Sequence, residues 1–375
     1  GLPWPHTAAG PGRVAVVTRT DGQRFDIVVV GAGMVGAAAA ALLARAGFSV
    51  ADVERREPEP FEASRPIGLR VSAISPGSAD ILAEAGAWRL LERQRHCPYR
   101  QMVVEDRDET SVMTIQAAEV GLELRGTLVE TDLVQWALWH SLLTAGGVEL
   151  LCPDGVAELV DDEQGCAVTL ESGVTVRCSL LVAADGADSG IRQMLGIRQE
   201  HWEYGQQGLV SVVQTATAND GVAWQRFLEG GPLAFLPLAD GSSSIVWSLP
   251  AAEAERLLNL DDGQFLAALG LAAAGGEDHW PDRPIECGPR AAFPLTMRLS
   301  EKYTAGRVAL IGDAAHVVHP LAGQGVNLGL LDAAGLVETL VAGRREGTDF
   351  ASGKVLEKYD RWRRSESEVM AWGMH

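Results

Sequence analysis

Three acids in this chain each close a short, mostly apolar run, and two of them stand beside a glycine. Asp313 follows Val308–Ile311 and Gly312, Asp185 follows Leu180–Ala184 and precedes Gly186, and Glu54 ends Phe48–Val53. Such carboxylates bind rather than cleave. The acid accepts hydrogen bonds from hydroxyls, and residues without a Cβ let backbone N–H groups approach a phosphate or a flat ring. Asp313 can accept from sugar-like hydroxyls in this way. The chain offers no Ser-His-Asp arrangement. Its five cysteines (Cys97, Cys152, Cys166, Cys178, Cys287) have no CxxC or metal-like spacing, and His316 and His319 read as loop structure rather than zinc ligands. No metal is expected.

These acids can share a ligand only if strands carry them to one edge. Runs such as Val308–Ile311 suit parallel strands covered on both faces, and open α/β sheets bind ligands at the carboxyl ends of their strands. Phe25–Val30 leads into Gly31-Ala32-Gly33-Met34-Val35-Gly36 and then an Ala-rich helix stopped by Gly47. Gly31 would make the turn, Gly33 admit a pyrophosphate and Gly36 allow helix to meet strand. Glu54, 18 positions after Gly36, can take both hydroxyls of an adenosine ribose and would repel a 2′-phosphate. The motif alone does not separate NAD from FAD. A helix from about Asn327, after Gly323-Gln324-Gly325, would aim its positive end at the same ligand. Ser189 or Asp188 should cap a helix carrying Arg192.

Elsewhere the pattern predicts helices over Ser78–Arg89, Thr131–Leu143, Ala252–Leu269 and Val355–Met370, with Trp136 and Trp139 in the core. Residues 97–120 and Gly205–Phe293 read as β-rich, and Phe227, Phe235, Trp247, Phe293 and Leu295 are candidate walls of an apolar pocket. A net charge of −19 argues against nucleic acid and against charge-driven docking on anionic lipid. No apolar run approaches the ~18–20 residues of a membrane span. Residues 1–24 lack a signal-peptide core and read as a poorly ordered extension. Free thiols suit a reducing cytoplasm.

GDAAH followed by HPLAGQGVNLG, residues 312–329, resembles the second flavin motif of the class A FAD-dependent aromatic hydroxylases. It is most similar to the branch that hydroxylates ubiquinone precursors. Asp185-Gly186 resembles the family's DG motif, and AFLPLADGSSSIVWSL also looks like that branch. The resemblance spans roughly residues 25–375. It implies an α/β fold: a Rossmann-like GR2-type FAD-binding domain of the para-hydroxybenzoate hydroxylase kind, with an antiparallel β-sheet substrate domain. The FAD-binding domain would be discontinuous (25–95, 121–196 and 300–375), and the substrate domain would take 96–120 and 197–299.

The resemblance further implies FAD as cofactor, held by Gly31, Gly33, Gly36, Glu54, Arg70, Asp185, Gly312, Asp313, Gly325 and Asn327. NADPH or NADH would visit as reductant, and O₂ would react through a flavin C4a-hydroperoxide to hydroxylate an electron-rich, prenylated ring. His319, Pro320, Gly323 and Gln324 would form the loop beside the flavin, with His319 a candidate for handling protons. Glu130 stands near where the wider family often carries an arginine that touches the cofactor, and no role carries over to it. The implied setting is the cytoplasm at the periphery of the inner membrane, among other ubiquinone-biosynthesis proteins. Two alternatives remain at this point: a related hydroxylase or reductase of secondary metabolism, or a non-catalytic flavin-binding subunit. The absence of a WxWxIP motif disfavours halogenation.

Overall fold

A computed structural model describes residues 21–106, 112–116, 126–162, 165–274, 281–318 and 325–373. The chain begins with β1 (Arg24–Val30), α1 (Met34–Arg45), β2 (Val50–Val53), β3 (Val71–Ile74), α2 (Pro76–Glu84) and α3 (Trp88–Leu91). Next come β4 (Cys97–Tyr99), β5 (Gln101–Glu105), β6 (Val112–Gln116), β7 (Gly126–Glu130), α4 (Thr131–Ala145) and β8 (Val148–Leu151). The middle holds β9 (Val156–Asp162), β10 (Gly165–Leu170), β11 (Thr175–Ala183), α5 (Gly190–Met194), β12 (Gln199–Thr215), β13 (Val222–Leu228), β14 (Gly231–Pro237) and β15 (Ser243–Pro250). Last are α6 (Ala251–Leu258), α7 (Asp262–Ala273), β16 (Pro284–Ser300), β17 (Thr304–Ala305), β18 (Val308–Leu310), β19 (His316–Val317), α8 (Gly325–Arg345) and α9 (Gly353–Gly373).

One sheet runs β17-β18-β11-β1-β2-β8, with β18, β11, β1, β2 and β8 parallel and the β9-β10 hairpin attached to β11. Its centre is apolar on both faces: Ile27, Val28, Val29, Leu180, Leu181 and Val182 are fully buried. α1, α4, α8 and α9 pack around it. The Ala-rich sequence of α1 allows this close approach. A second sheet runs β19-β16-β12-β15-β14-β13-β5-β6 and is antiparallel except where β13 meets β5. β3, β7 and β4 form a small third sheet between the two. The fold is thus a parallel nucleotide-type layer joined to an antiparallel layer.

Several boundaries differ from the sequence expectation for local reasons. The Ala252–Leu269 helix divides into α6 and α7, because Asp261 accepts from Gln264 N at 2.8 Å and starts a new helix. The helix expected over Ser78–Arg89 starts earlier, where Ser75 caps Ser78 N, and stops before Gly86 at φ +85°. Cys97–Tyr99 joins the small sheet rather than the large antiparallel one, and β19, from the C-terminal segment, joins the large one. By length and composition alone α8 could cross a membrane. Asn327, Asp332 and Glu338 interrupt its sequence and hide that property. Half of its apolar window is buried inside the protein, so it serves as a core helix.

Candidate active site

The carboxyl ends of β1, β11 and β18 open on a cavity of about 500 Å³, roofed by the large antiparallel sheet. The glycine turn contributes Gly33, Met34 and Val35, the β3 segment contributes Leu69–Ser72, and the start of α4 contributes Thr131, Asp132 and Gln135. Across from them stand Gly208, Val210, Ser244, Val246, Phe293 and Leu295 of the sheet, and Asp313, His316 and Gly325 near the β18 end.

The glycines divide into frame and window. Gly31 adopts φ +103°, and a Cβ there would lie 2.5 Å from Ala184 O. A Cβ on Gly36 would lie 1.8 Å from Gly31 O. These two let α1, β1 and β11 meet. Gly33 and Gly325 have nothing within 4 Å of an added Cβ among the described residues. Each stands at the start of a helix, α1 or α8, so unpaired N–H groups face the same opening. This arrangement fits a diphosphate and a flat anionic ring.

Asp313 faces the cavity. Its side chain is open to the cavity, yet desolvation by the surrounding walls raises its carboxyl above the ordinary range, against the pull of His316, Arg70 and Arg298. Arg70 also lines the cavity. Glu54 sits behind the glycine turn, where its two oxygens accept from Ala32 N at 2.7 Å and Arg56 N at 3.0 Å. Asp185 accepts from Ile191 N at 3.1 Å, while its Oδ1 is buried without a partner among the described residues. Asn327 is turned away: its amide donates to Ala73 O at 2.8 Å and accepts from Ser75 N at 3.1 Å, tying α8 to β3. His319, Pro320, Gly323 and Gln324 lie outside the described residues.

The pocket-wall expectation is corrected for three of five residues. Phe293 and Leu295 line the cavity. Phe235 and Trp247 occupy the opposite face of the sheet, in the core that includes Phe265 and Leu269 of α7. Phe227 is exposed. The cause is the two-residue period of a strand: Ser244 and Val246 face the cavity, while Ile245 and Trp247 face the helices. This accounts for Phe235 and Trp247, whereas Phe227 has the other parity on β13 and is exposed to solvent without lining the cavity.

Other supports escaped the sequence reading. Asp332, fully buried in α8, accepts from Gly312 N at 3.0 Å, pairs with His316 Nε2 at 2.5 Å and with Arg363 Nε at 2.8 Å. A lone acid within the apolar Leu328–Val337 stretch was the available signal. Arg192, by contrast, was expected on the helix after Asp185-Gly186, and it donates to Ala314 O and Ala187 O, both at 2.9 Å, joining the Asp185 and Asp313 loops. Glu130 accepts from Arg95 Nε at 2.6 Å and Gly68 N at 2.8 Å, while Arg95 also holds Ala63 O at 3.0 Å. Together they brace the Pro-rich connection that carries Arg70.

The family model described as FAD binding domain matches residues 24–371. The 3-demethoxyubiquinol 3-hydroxylase of Escherichia coli K12 is 38% identical over 354 residues, covering 94% of this chain and 88% of that protein. The chain belongs to the class A FAD-dependent monooxygenases. The human mitochondrial ubiquinone biosynthesis monooxygenase COQ6 is 34% identical, with 90% of this monooxygenase and 81% of that one covered. Among solved structures, Pseudomonas aeruginosa PqsL in complex with 2-aminobenzoylacetate superposes with a TM-score of 0.76 at 23% identity, covering 93% of this chain and 94% of that one. That likeness concerns the fold. FAD is the cofactor of this monooxygenase and NAD(P)H its reductant. Among the described residues no group of His, Cys, Asp and Glu could hold a metal.

Proposed function

We propose that this monooxygenase hydroxylates the aromatic ring of a polyprenylated phenol on the route to ubiquinone, using O₂ and NAD(P)H. The 38% identity to a demethoxyubiquinol hydroxylase across nearly the whole chain carries this reading. When bound, FAD supplies the redox and oxygen chemistry, and the protein supplies binding, orientation and dryness. Gly33 and the α1 N-terminus would receive the diphosphate, Glu54 the adenosine ribose, and Arg70 the neighbouring negative charge. Asp313 would accept from sugar-like hydroxyls. The α8 N-terminus at Gly325 would stabilise negative charge on the reduced ring. Asp185 has one carboxylate oxygen without a partner among the described residues, near the same opening. Val210, Val246, Phe293 and Leu295 would shield the reaction from water, which otherwise diverts oxygen to hydrogen peroxide. We place the enzyme at the periphery of the inner membrane, with other ubiquinone-biosynthesis proteins, because a prenylated substrate resides there. The test is expression in strains lacking each ubiquinone hydroxylase in turn, with the quinones identified by mass. Restored ubiquinone in one strain is expected. Failure in every strain, with FAD bound and bleached by NAD(P)H, would refute the substrate class.

A further inference from the structure

Among the described residues, the cavity wall contains a fully buried hydroxyl that the protein leaves unanswered. Ser244 lies on β15, opposite Val212 of β12 and Leu236 of β14. It is 1% exposed, lines the cavity, and its Oγ has no hydrogen-bond partner among the described residues. Nearby serines are satisfied. Ser211 donates to Gly288 O at 3.2 Å, and Ser243 accepts from Asn219 Nδ2 at 3.0 Å. Two other cavity hydroxyls, Ser72 and Thr131, bond to each other at 3.2 Å. The surroundings of Ser244 on its own face are apolar, with Val210 and Val246 beside it. A buried hydroxyl without a partner is unfavourable, and a ligand oxygen that reaches it relieves the loss.

We propose that Ser244 Oγ hydrogen-bonds the ring hydroxyl of the phenolic substrate and sets the ring's orientation in the cavity. This rests on the ring-hydroxylation reading and goes further by naming the residue that recognises the phenolic oxygen. One anchored oxygen against a flat apolar wall fixes both the plane and the rotation of the ring. Ser244 is thus a specificity-determining residue. Sites built around a substrate hydroxyl discriminate strongly against analogues that lack it, because the protein group is then stranded.

The experiment uses the FAD-loaded full chain and two probes, ortho-prenylphenol and prenylbenzene, which differ only by the hydroxyl. Binding is read from the perturbation of the flavin absorbance. The wild type should prefer the phenol by about tenfold or more. Ser244→Ala should reduce that preference to below about threefold, chiefly by weakening phenol binding, and Ser244→Thr should keep most of it. A fall in hydroxylated product per NAD(P)H consumed should accompany the alanine change, as the ring loses its register. An unchanged preference in Ser244→Ala, or equal binding of both probes by the wild type, overturns the proposal and leaves ring hydroxylation standing. If neither probe perturbs the flavin nor stimulates NAD(P)H oxidation in the wild type, the ring-hydroxylation reading fails, and this one with it.

Discussion

Replacing Asp332 by asparagine should be among the most damaging single-atom changes available to this protein. Asp332 is fully buried and receives hydrogen atoms from two sides: Arg363 Nε on Oδ1, and Gly312 N with His316 Nε2 on Oδ2. A carboxamide has only one oxygen. If its NH₂ takes the Oδ1 position, it meets the Arg363 N–H. If it takes the Oδ2 position, it meets the Gly312 N–H, whichever tautomer His316 adopts. One donor–donor clash is therefore unavoidable. Arg363 is 1% exposed and would keep, among the described residues, only Glu366, itself half-exposed, as a charged partner. Breaking a buried pair by neutralising one member typically costs about 3–5 kcal/mol, against a total stability of about 5–15 kcal/mol. Urea unfolding of the apoprotein at neutral pH measures the loss without FAD linkage. The double change Asp332→Leu with Arg363→Met removes both charges. It should recover part of the stability, the remaining loss coming from the Gly312 N–H and the buried His316 Nε2, each left without an acceptor. A loss below about 1 kcal/mol in Asp332→Asn, or a double variant no better than the single one, would refute the reasoning.

Further outcomes follow from particular contacts. A Cβ on Gly329 would lie 2.6 Å from Val35 Cγ2 and 3.2 Å from Gly312 Cα. Gly329→Ala should thus destabilise by about 1–3 kcal/mol and weaken FAD retention, and adding Val35→Ala should recover part of both, as read by thermal midpoint and flavin release. Asp52 is fully buried, its carboxylate has no partner among the described residues, and burial followed by repulsion from Glu54 raises its pKa well above 3.8. The native state therefore holds the proton more tightly than the unfolded chain, and stability falls as pH rises from about 3.8 towards the raised value. Asp52→Asn should be more stable than wild type at pH about 8, and the advantage should shrink on acidification; a pH-independent difference would contradict this. Phe235→Ala should cost about 3–5 kcal/mol through the helix-facing core with little change in KM. Phe293→Ala should instead spare stability and raise hydrogen peroxide per NAD(P)H consumed.

Strong local signals made much of the fold legible. The strand–glycine–helix unit from Phe25 to Glu54, the Leu180–Asp185 run and the Val308–Asp313 run each carry their own periodicity and turn residues, and all three reach one edge of the parallel sheet. The site's supports depend on contacts between residues far apart in sequence, such as Asp332 with Arg363 or Glu130 with Arg95. No local pattern encodes those pairs. The sheet wall failed for a different reason. Alternation tells which residues share a face, but which face meets the cavity depends on α6 and α7 covering the other, a matter of tertiary packing.

The two-sided β12-β15-β16 wall has a consequence for how this enzyme could change its diet. One set of alternate positions anchors the helices behind the wall, and the interleaved set meets the visitor. A lineage adapting to a new ring could therefore rewrite Val210, Ser244, Val246 and Phe293 while the intervening residues stay put. Affinity and sturdiness can then drift independently along the same few strands.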